Sequence, residues 1–79
     1  IAYAKIRGID IIPEFDMPGH MLAAVSNYVG VSCFNETGWG RVFSSPVCPV
    51  KDSSLEFLKN IYEELIALFP YKYVHIGGD

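Results

Sequence analysis

Apolar positions fall into short continuous runs and one long periodic run. Ile9-Asp10-Ile11-Ile12-Pro13-Glu14-Phe15 is short, β-branched and almost uninterrupted. That is the pattern of a strand buried on both faces. Pro13 has no N–H for a ladder, so the reading places it near the strand's C-terminal end. Ahead of it, residues 2–7 read as a helix stopped by Gly8, which tolerates the left-handed position after a helix. Behind it, Met17-Pro18-Gly19 reads as a turn, and residues 21–28 as a helix. Residues 53–69 carry the clearest pattern. Leu55, Leu58, Ile61/Tyr62, Leu65 and Leu68/Phe69 recur at helical spacing, with Glu56, Lys59, Asn60, Glu63 and Glu64 opposite. Ser53 and Glu56 predict a capping box at its start, and Pro70 its end. Residues 73–76 form a second short apolar strand, closed by Gly77-Gly78.

Residues 30–52 hold Gly30, Gly38, Gly40, Pro46 and Pro49 without periodicity. They predict a long loop, a length that in compact domains usually serves function. Strand, helix and strand in this order imply parallel strands and a right-handed crossover. Two such strands need helices on their faces and further strands at their edges. The expected class is α/β.

Composition sharpens this. The chain has 79 residues, of which 51% are hydrophobic and 19% charged. So few charges, against about 25% in typical soluble domains, suit an interior piece of a larger fold. The first residue is Ile1, and the last, Asp79, follows Gly77-Gly78 directly, so an internal fragment is expected. Six basic and nine acidic residues give a net charge of −3 with no basic cluster, which argues against a nucleic-acid surface. No apolar run approaches the ~18 residues of a membrane span.

Polar residues gather at both strand ends, where parallel α/β folds build their sites. The first strand leads into Glu14, Asp16 and His20, the second into His75 and Asp79. Alternation puts Asp10, Ile12, Glu14 and Asp16 on one face. An extended path through Gly77-Gly78 would put His75 and Asp79 on one face as well. Three carboxylates and a histidine would then converge, with His20 just beyond. Plainer roles exist: Asp16 could cap the turn before Pro18, and His75 could be a hydrogen-bonded core histidine. Glu14 resists such a role, because an acidic group in an apolar strand is costly unless paired or functional.

Other chemistries have weaker support. Asp16-x-x-x-His20 and His75-x-x-x-Asp79 offer metal ligands, but no His-Glu-x-x-His or His-x-His pattern accompanies them, so no metal is expected. Gly-x-Ser-x-Gly is absent, and Ser44-Ser45 lie in the loop. Cys33 and Cys48 either close a ring across the loop or stay free and buried. Trp39 with Phe43 could stack on a sugar or pack within the loop.

Ile12-Pro13-Glu14-Phe15-Asp16-Met17-Pro18-Gly19-His20 resembles the PE-x-D-x-PGH motif of glycoside hydrolase family 20, the β-N-acetylhexosaminidases. His75-Ile76-Gly77-Gly78-Asp79 resembles that family's H-I/L-GGDE motif, and Arg7-Gly8-Ile9 and Leu68-Phe69-Pro70 also fit. The resemblance runs the whole length. It implies about two βα units of a (β/α)₈ TIM barrel, so that residues 1–79 are a partial catalytic domain truncated at both ends. It implies retaining exo-hydrolysis of terminal β-linked N-acetylglucosamine or N-acetylgalactosamine, without a cofactor, on chitin oligosaccharides and glycans. The family departs from the usual two-carboxylate scheme. The substrate's own 2-acetamido oxygen attacks, giving an oxazolinium.

By the same resemblance, Asp79 orients and charge-stabilises the acetamido group. The general-acid glutamate would follow it. With neither that glutamate nor the family's substrate-gripping arginine in residues 1–79, the piece alone is expected to be inactive and poorly folded. His20 would hold the environment of the acid and tune its proton affinity, Glu14 and Asp16 would line the site, and His75 would lie beneath Asp79. The family includes periplasmic, secreted and lysosomal members, so the compartment stays open. Two alternatives are another barrel glycosidase and a non-catalytic N-acetyl-sugar-binding protein on a decayed barrel. The chitinase pattern D-x-x-D-x-D-x-E is absent.

Overall fold

The computed structural model describes residues 1–28, 30–33 and 45–79. The elements are α1 (Ala2–Lys5), β1 (Glu14–Met17), α2 (Leu22–Asn27), α3 (Asp52–Leu68) and β2 (His75–Gly77). β1 and β2 pair in parallel as a two-stranded sheet, as the strand–helix–strand order requires. Trp39 and Phe43 lie outside the described residues.

Several boundaries differ from the sequence reading, and at the starts of β1, β2 and α3 the surroundings are local and specific. β1 begins after Pro13 instead of ending near it. Pro13 has no N–H, so it can enter the ladder only through its carbonyl, which accepts the His75 N–H at 2.9 Å. Ile9 and Ile12, expected inside the strand, stay more than half exposed. β2 starts two residues later than expected, and Tyr73 is exposed. The Ser53–Glu56 capping box does not form: α3 begins at Asp52 with Lys51 at its N-cap and no side-chain cap. Ser53 lies inside the first turn, and its hydroxyl donates to the Gly30 carbonyl at 2.6 Å. The carboxylate of Asp52 sits in that first turn, where the helix dipole favours it.

Gly8 stops α1 as predicted. At φ +68° it allows two closing bonds, Gly8 N–H to Lys5 O (3.1 Å) and Ile9 N–H to Ala4 O (3.0 Å). This pair is a Schellman stop.

Met21, Val25, Val31 and Val47 form the buried cluster, with Phe15, Met17, Ala24, Phe57 and Leu58 packed against it. The start of α3 clamps the loop onto this cluster. Lys51 Nζ donates to Ser32 O (2.6 Å), Ser53 Oγ to Gly30 O and Ser54 Oγ to Val31 O (3.2 Å). Ser54 is fully buried, so its bond satisfies a group that would otherwise be costly. Cys33 and Cys48 are joined in a disulfide, with Cα atoms 4.7 Å apart. The adjacent Val47 N–H donates to Pro18 O at 2.9 Å, which fastens the loop to the turn after β1.

Candidate active site

The paired strands carry their polar residues to one end. Between the pairs Glu14↔His75 and Met17↔Gly77, β1 advances three residues while β2 advances two. The extra residue is a bulge, which re-aims side chains and breaks simple alternation. Gly77 and Gly78 add positive φ values of +70° and +112°, so β2 does not continue extended to Asp79. The convergence expected from alternation therefore splits into two groups.

One group is Asp16, His20 and Asp79, with one potential ligand atom of each within 4.8 Å of the others. His20 Nε2 and Asp79 Oδ2 are 2.6 Å apart, a hydrogen bond in which the ring N–H donates. Asp79 is also held by its main chain, as its carbonyl accepts the Gly19 N–H at 2.9 Å. Asp16 Oδ1 accepts the Gly78 N–H at 3.1 Å. A Cβ added to Gly77 would lie 1.8 Å from that same oxygen and 2.8 Å from Asp16 Cα. Only glycine lets the two strand ends approach this closely. Both carboxylates and the ring thus lie at one strand end, with His20 and Asp79 about half and three-quarters exposed.

The other group is Glu14 with His75. Their Oε1 and Nδ1 atoms are 3.5 Å apart, while the Gly77 N–H donates to the same Nδ1 at 3.0 Å. The shorter contact makes Nδ1 the acceptor, so Glu14 lies beside the imidazole without a direct hydrogen bond to that nitrogen. His75 thus braces the backbone two residues before Asp79.

His20 adopts φ +56°, a left-handed conformation costly for a residue with a side chain. The helix that follows, α2, has Met21 at its N-cap and no side-chain cap bond.

The helical spacing places Tyr62 in an apolar stripe, but the structure gives its hydroxyl a polar role. Its hydroxyl donates to the Phe15 carbonyl, and the two rings meet edge-on at 5.9 Å. The signal available in the sequence was a phenol among aliphatic residues, since its O–H needs a partner when half-buried. Burial first, then the negative charges of Asp16 and Glu14, raise the Tyr62 phenol above its usual pKa of 10.0.

Among the described residues, Asp16, His20 and Asp79 are the set that could hold a metal ion. Their direct His20–Asp79 contact is a hydrogen-bond distance. An ion bound at ~2.0–2.2 Å to each ligand would have to separate them.

A parallel strand pair with carboxylates and a histidine gathered at its carboxyl ends is the arrangement of α/β folds built from βα units, which place their sites there. The family model for the catalytic domain of glycosyl hydrolase family 20 matches residues 1–79, and the chain belongs to this family. It is 39% identical to beta-hexosaminidase A of Caenorhabditis briggsae, covering 100% of this chain and 14% of that protein. It is 40% identical to beta-hexosaminidase of Porphyromonas gingivalis, covering 100% of this chain and 11% of that protein. The structure is similar to the GH20 beta-N-acetylhexosaminidase from Streptomyces coelicolor A3(2). The TM-score is 0.83 at 35% identity, over 100% of this chain and 17% of that one. The chain thus spans between a tenth and a fifth of these relatives.

Proposed function

We propose that residues 1–79 are part of the catalytic (β/α)₈ barrel of a retaining exo-β-N-acetylhexosaminidase, about two of its βα units, and that the whole enzyme hydrolyses terminal β-linked N-acetylglucosamine or N-acetylgalactosamine. Family membership supports the activity. The observation that carries the site is the placement of Asp79: its side chain meets His20, and its backbone is held by Gly19.

In this reading the acetamido carbonyl oxygen attacks the anomeric carbon and the glycosidic C–O bond breaks. The leaving oxygen takes its proton from the glutamate that the family places after Asp79. The Asp79 carboxylate holds the acetamido N–H and faces the positive charge of the oxazolinium as it develops, where a fixed anion stabilises most. Holding that group makes the attack intramolecular. Water then opens the ring, passing its proton to the glutamate. His20 fixes the Asp79 carboxylate through its N–H, Asp16 fixes the Gly77-Gly78 turn, and Glu14 and His75 support the same strand ends. The substrates are N-acetylated amino-sugar glycosides such as chitin oligosaccharides and glycans.

The test uses the full-length enzyme on 4-nitrophenyl N-acetyl-β-glucosaminide, its galactosaminide and the matching β-glucoside, which lacks the acetamido group. Hydrolysis of the N-acetyl glycosides alone, with a β-configured first product by NMR, is expected. Equal hydrolysis of the glucoside would overturn substrate assistance. Binding of N-acetylglucosamine without turnover would mean a sugar-binding protein instead.

A further inference from the structure

We infer that Tyr62 is a positioning residue for the carboxylates at the strand ends: its hydroxyl fixes the β1 bulge at the Phe15 carbonyl, which sets where Asp16 meets the Gly77-Gly78 turn. The role of Asp79 as a catalytic group rests on the proposed activity, but the positioning itself does not.

Four observations meet here. First, the register gains one residue on β1 between Glu14 and Met17, so Phe15 and Asp16 occupy the irregular stretch. A bulge leaves a residue outside the regular ladder, and its path needs fixing by something else. Second, the Tyr62 hydroxyl from α3 bonds the Phe15 carbonyl, which belongs to the peptide joining Phe15 to Asp16. Third, the Phe15 and Tyr62 rings cross at 88°, so the phenol is held from its side as well as its tip. Fourth, Asp16 then accepts the Gly78 N–H, one residue before Asp79.

The chain of contact is short: the Tyr62 hydroxyl, the Phe15–Asp16 peptide, the Asp16 carboxylate, the Gly78 amide, then Asp79. Rotation of the Phe15–Asp16 peptide moves the Asp16 side chain directly. The clearance at Gly77 is so tight that Asp16 cannot shift toward it without displacing the turn. Burial, and after it the charges of Asp16 and Glu14, raises the pKa of the phenol, which agrees with a hydroxyl tucked against β1 near both carboxylates. Neither sequence motif includes Tyr62, which lies on the helix between them.

The test compares Tyr62→Phe with Leu58→Val in the full-length enzyme. Leu58 lies on the same helix and packs against the Met21–Val25–Val31–Val47 cluster, so its variant reports loss of packing alone. Loss of one neutral hydrogen bond predicts a kcat about three- to tenfold lower for Tyr62→Phe, with KM within about twofold. Leu58→Val should keep its kcat while its melting temperature falls. Hydrogen exchange at the Gly78 amide reads the positioning without turnover and should speed up in Tyr62→Phe only. Unchanged kcat and unchanged Gly78 exchange in Tyr62→Phe would overturn the inference, as would equal changes in Leu58→Val. Faster exchange in an enzyme that turns over no N-acetyl glycoside would uphold the positioning and refute the proposed activity. If Tyr62→Phe fails to fold, Tyr62→Gln is measured by the same pair of readouts.

Discussion

His20 and Asp79 are 59 residues apart in sequence, yet their side chains meet at 2.6 Å. The contact closes the site from both strands, since His20 follows β1 and Asp79 follows β2. Each residue is also fixed by backbone geometry: His20 by a left-handed φ, Asp79 by the Gly19 N–H. Under the proposed mechanism, the acetamido group of the substrate meets a carboxylate that these contacts hold in place.

Asp79→Asn keeps the size of the side chain and removes its charge. In the full-length enzyme kcat should fall by ~10²–10³, the range seen when one preorganised transition-state contact is lost. KM should change far less, because the oxazolinium charge develops after binding. Steady-state kinetics on an aryl N-acetylglucosaminide check this. A variant with wild-type kcat would remove Asp79 from the mechanism.

Two adjacent glycines should respond differently to alanine. At Gly78 (φ +112°) nothing lies within 4 Å of an added Cβ, so the cost is backbone strain alone, about 1–3 kcal/mol. At Gly77 the new Cβ would also meet the Asp16 carboxylate and its Cα, and the Cα cannot swing aside. Gly77→Ala should therefore cost about 2–4 kcal/mol and reduce activity more than Gly78→Ala. Denaturant melts of both variants measure the order.

Much of this was legible in the residues. The parallel pair, the long helix read from residue 53 and the Gly8 stop follow from periodicity, and strand-end chemistry points to the polar residues at the carboxyl ends without dividing them into the two groups the structure shows. The two motifs pointed to the family. The remainder depended on facts that pattern does not carry. Strand alternation assumes an unbroken ladder, and the extra residue between Glu14 and Met17 breaks it. That is why Asp16 joins His20 and Asp79 while Glu14, before the irregularity, stays beside His75. Ser53 fits a capping box in sequence, but the loop carbonyl at Gly30 competes for its hydroxyl and wins. Tyr62 looked apolar because a helical stripe records which residues face inward, not which polar atom each one delivers.

The Cys33–Cys48 disulfide encloses the loop and ends beside Val47, which donates to Pro18 in the turn before His20. Replacing both cysteines by serine should cost about 2–4 kcal/mol, as expected when a ring of this size is opened. The buried Cys48 position makes one serine hydroxyl an added burden. The melting temperature of the full-length enzyme should drop. A melting curve unchanged from wild type would show that the disulfide contributes nothing to stability.

The raised pKa of Tyr62 gives a stability effect with a definite sign. The folded phenol holds its proton at pH values where the unfolded one, near 10.0, has lost it. Its contribution is therefore complete below pH 10 and disappears as pH rises through the higher folded value. Melting temperatures measured from pH 8 to 11 should decline less steeply above pH 10 in Tyr62→Phe than in wild type. Parallel declines would mean that the phenol is as free in the folded enzyme as in the unfolded chain.

His20→Gly separates function from stability most sharply. His20 holds φ +56°, which glycine adopts without strain, so the substitution removes a backbone cost of ~1–2 kcal/mol. It also removes the ring that bonds Asp79. A residue kept for its fold would make this a damaging change in both respects. A residue kept for its site would give an enzyme that melts at the same temperature or higher and turns over more slowly. The second outcome is expected, with kcat at least tenfold lower for loss of a charge-assisted hydrogen bond of about 1.5–3 kcal/mol. His20→Ala keeps the strain and loses the ring, so it should be equally slow and less stable than His20→Gly. If His20→Gly instead melts well below wild type with kcat intact, the ring serves the turn and Asp79 does not need it.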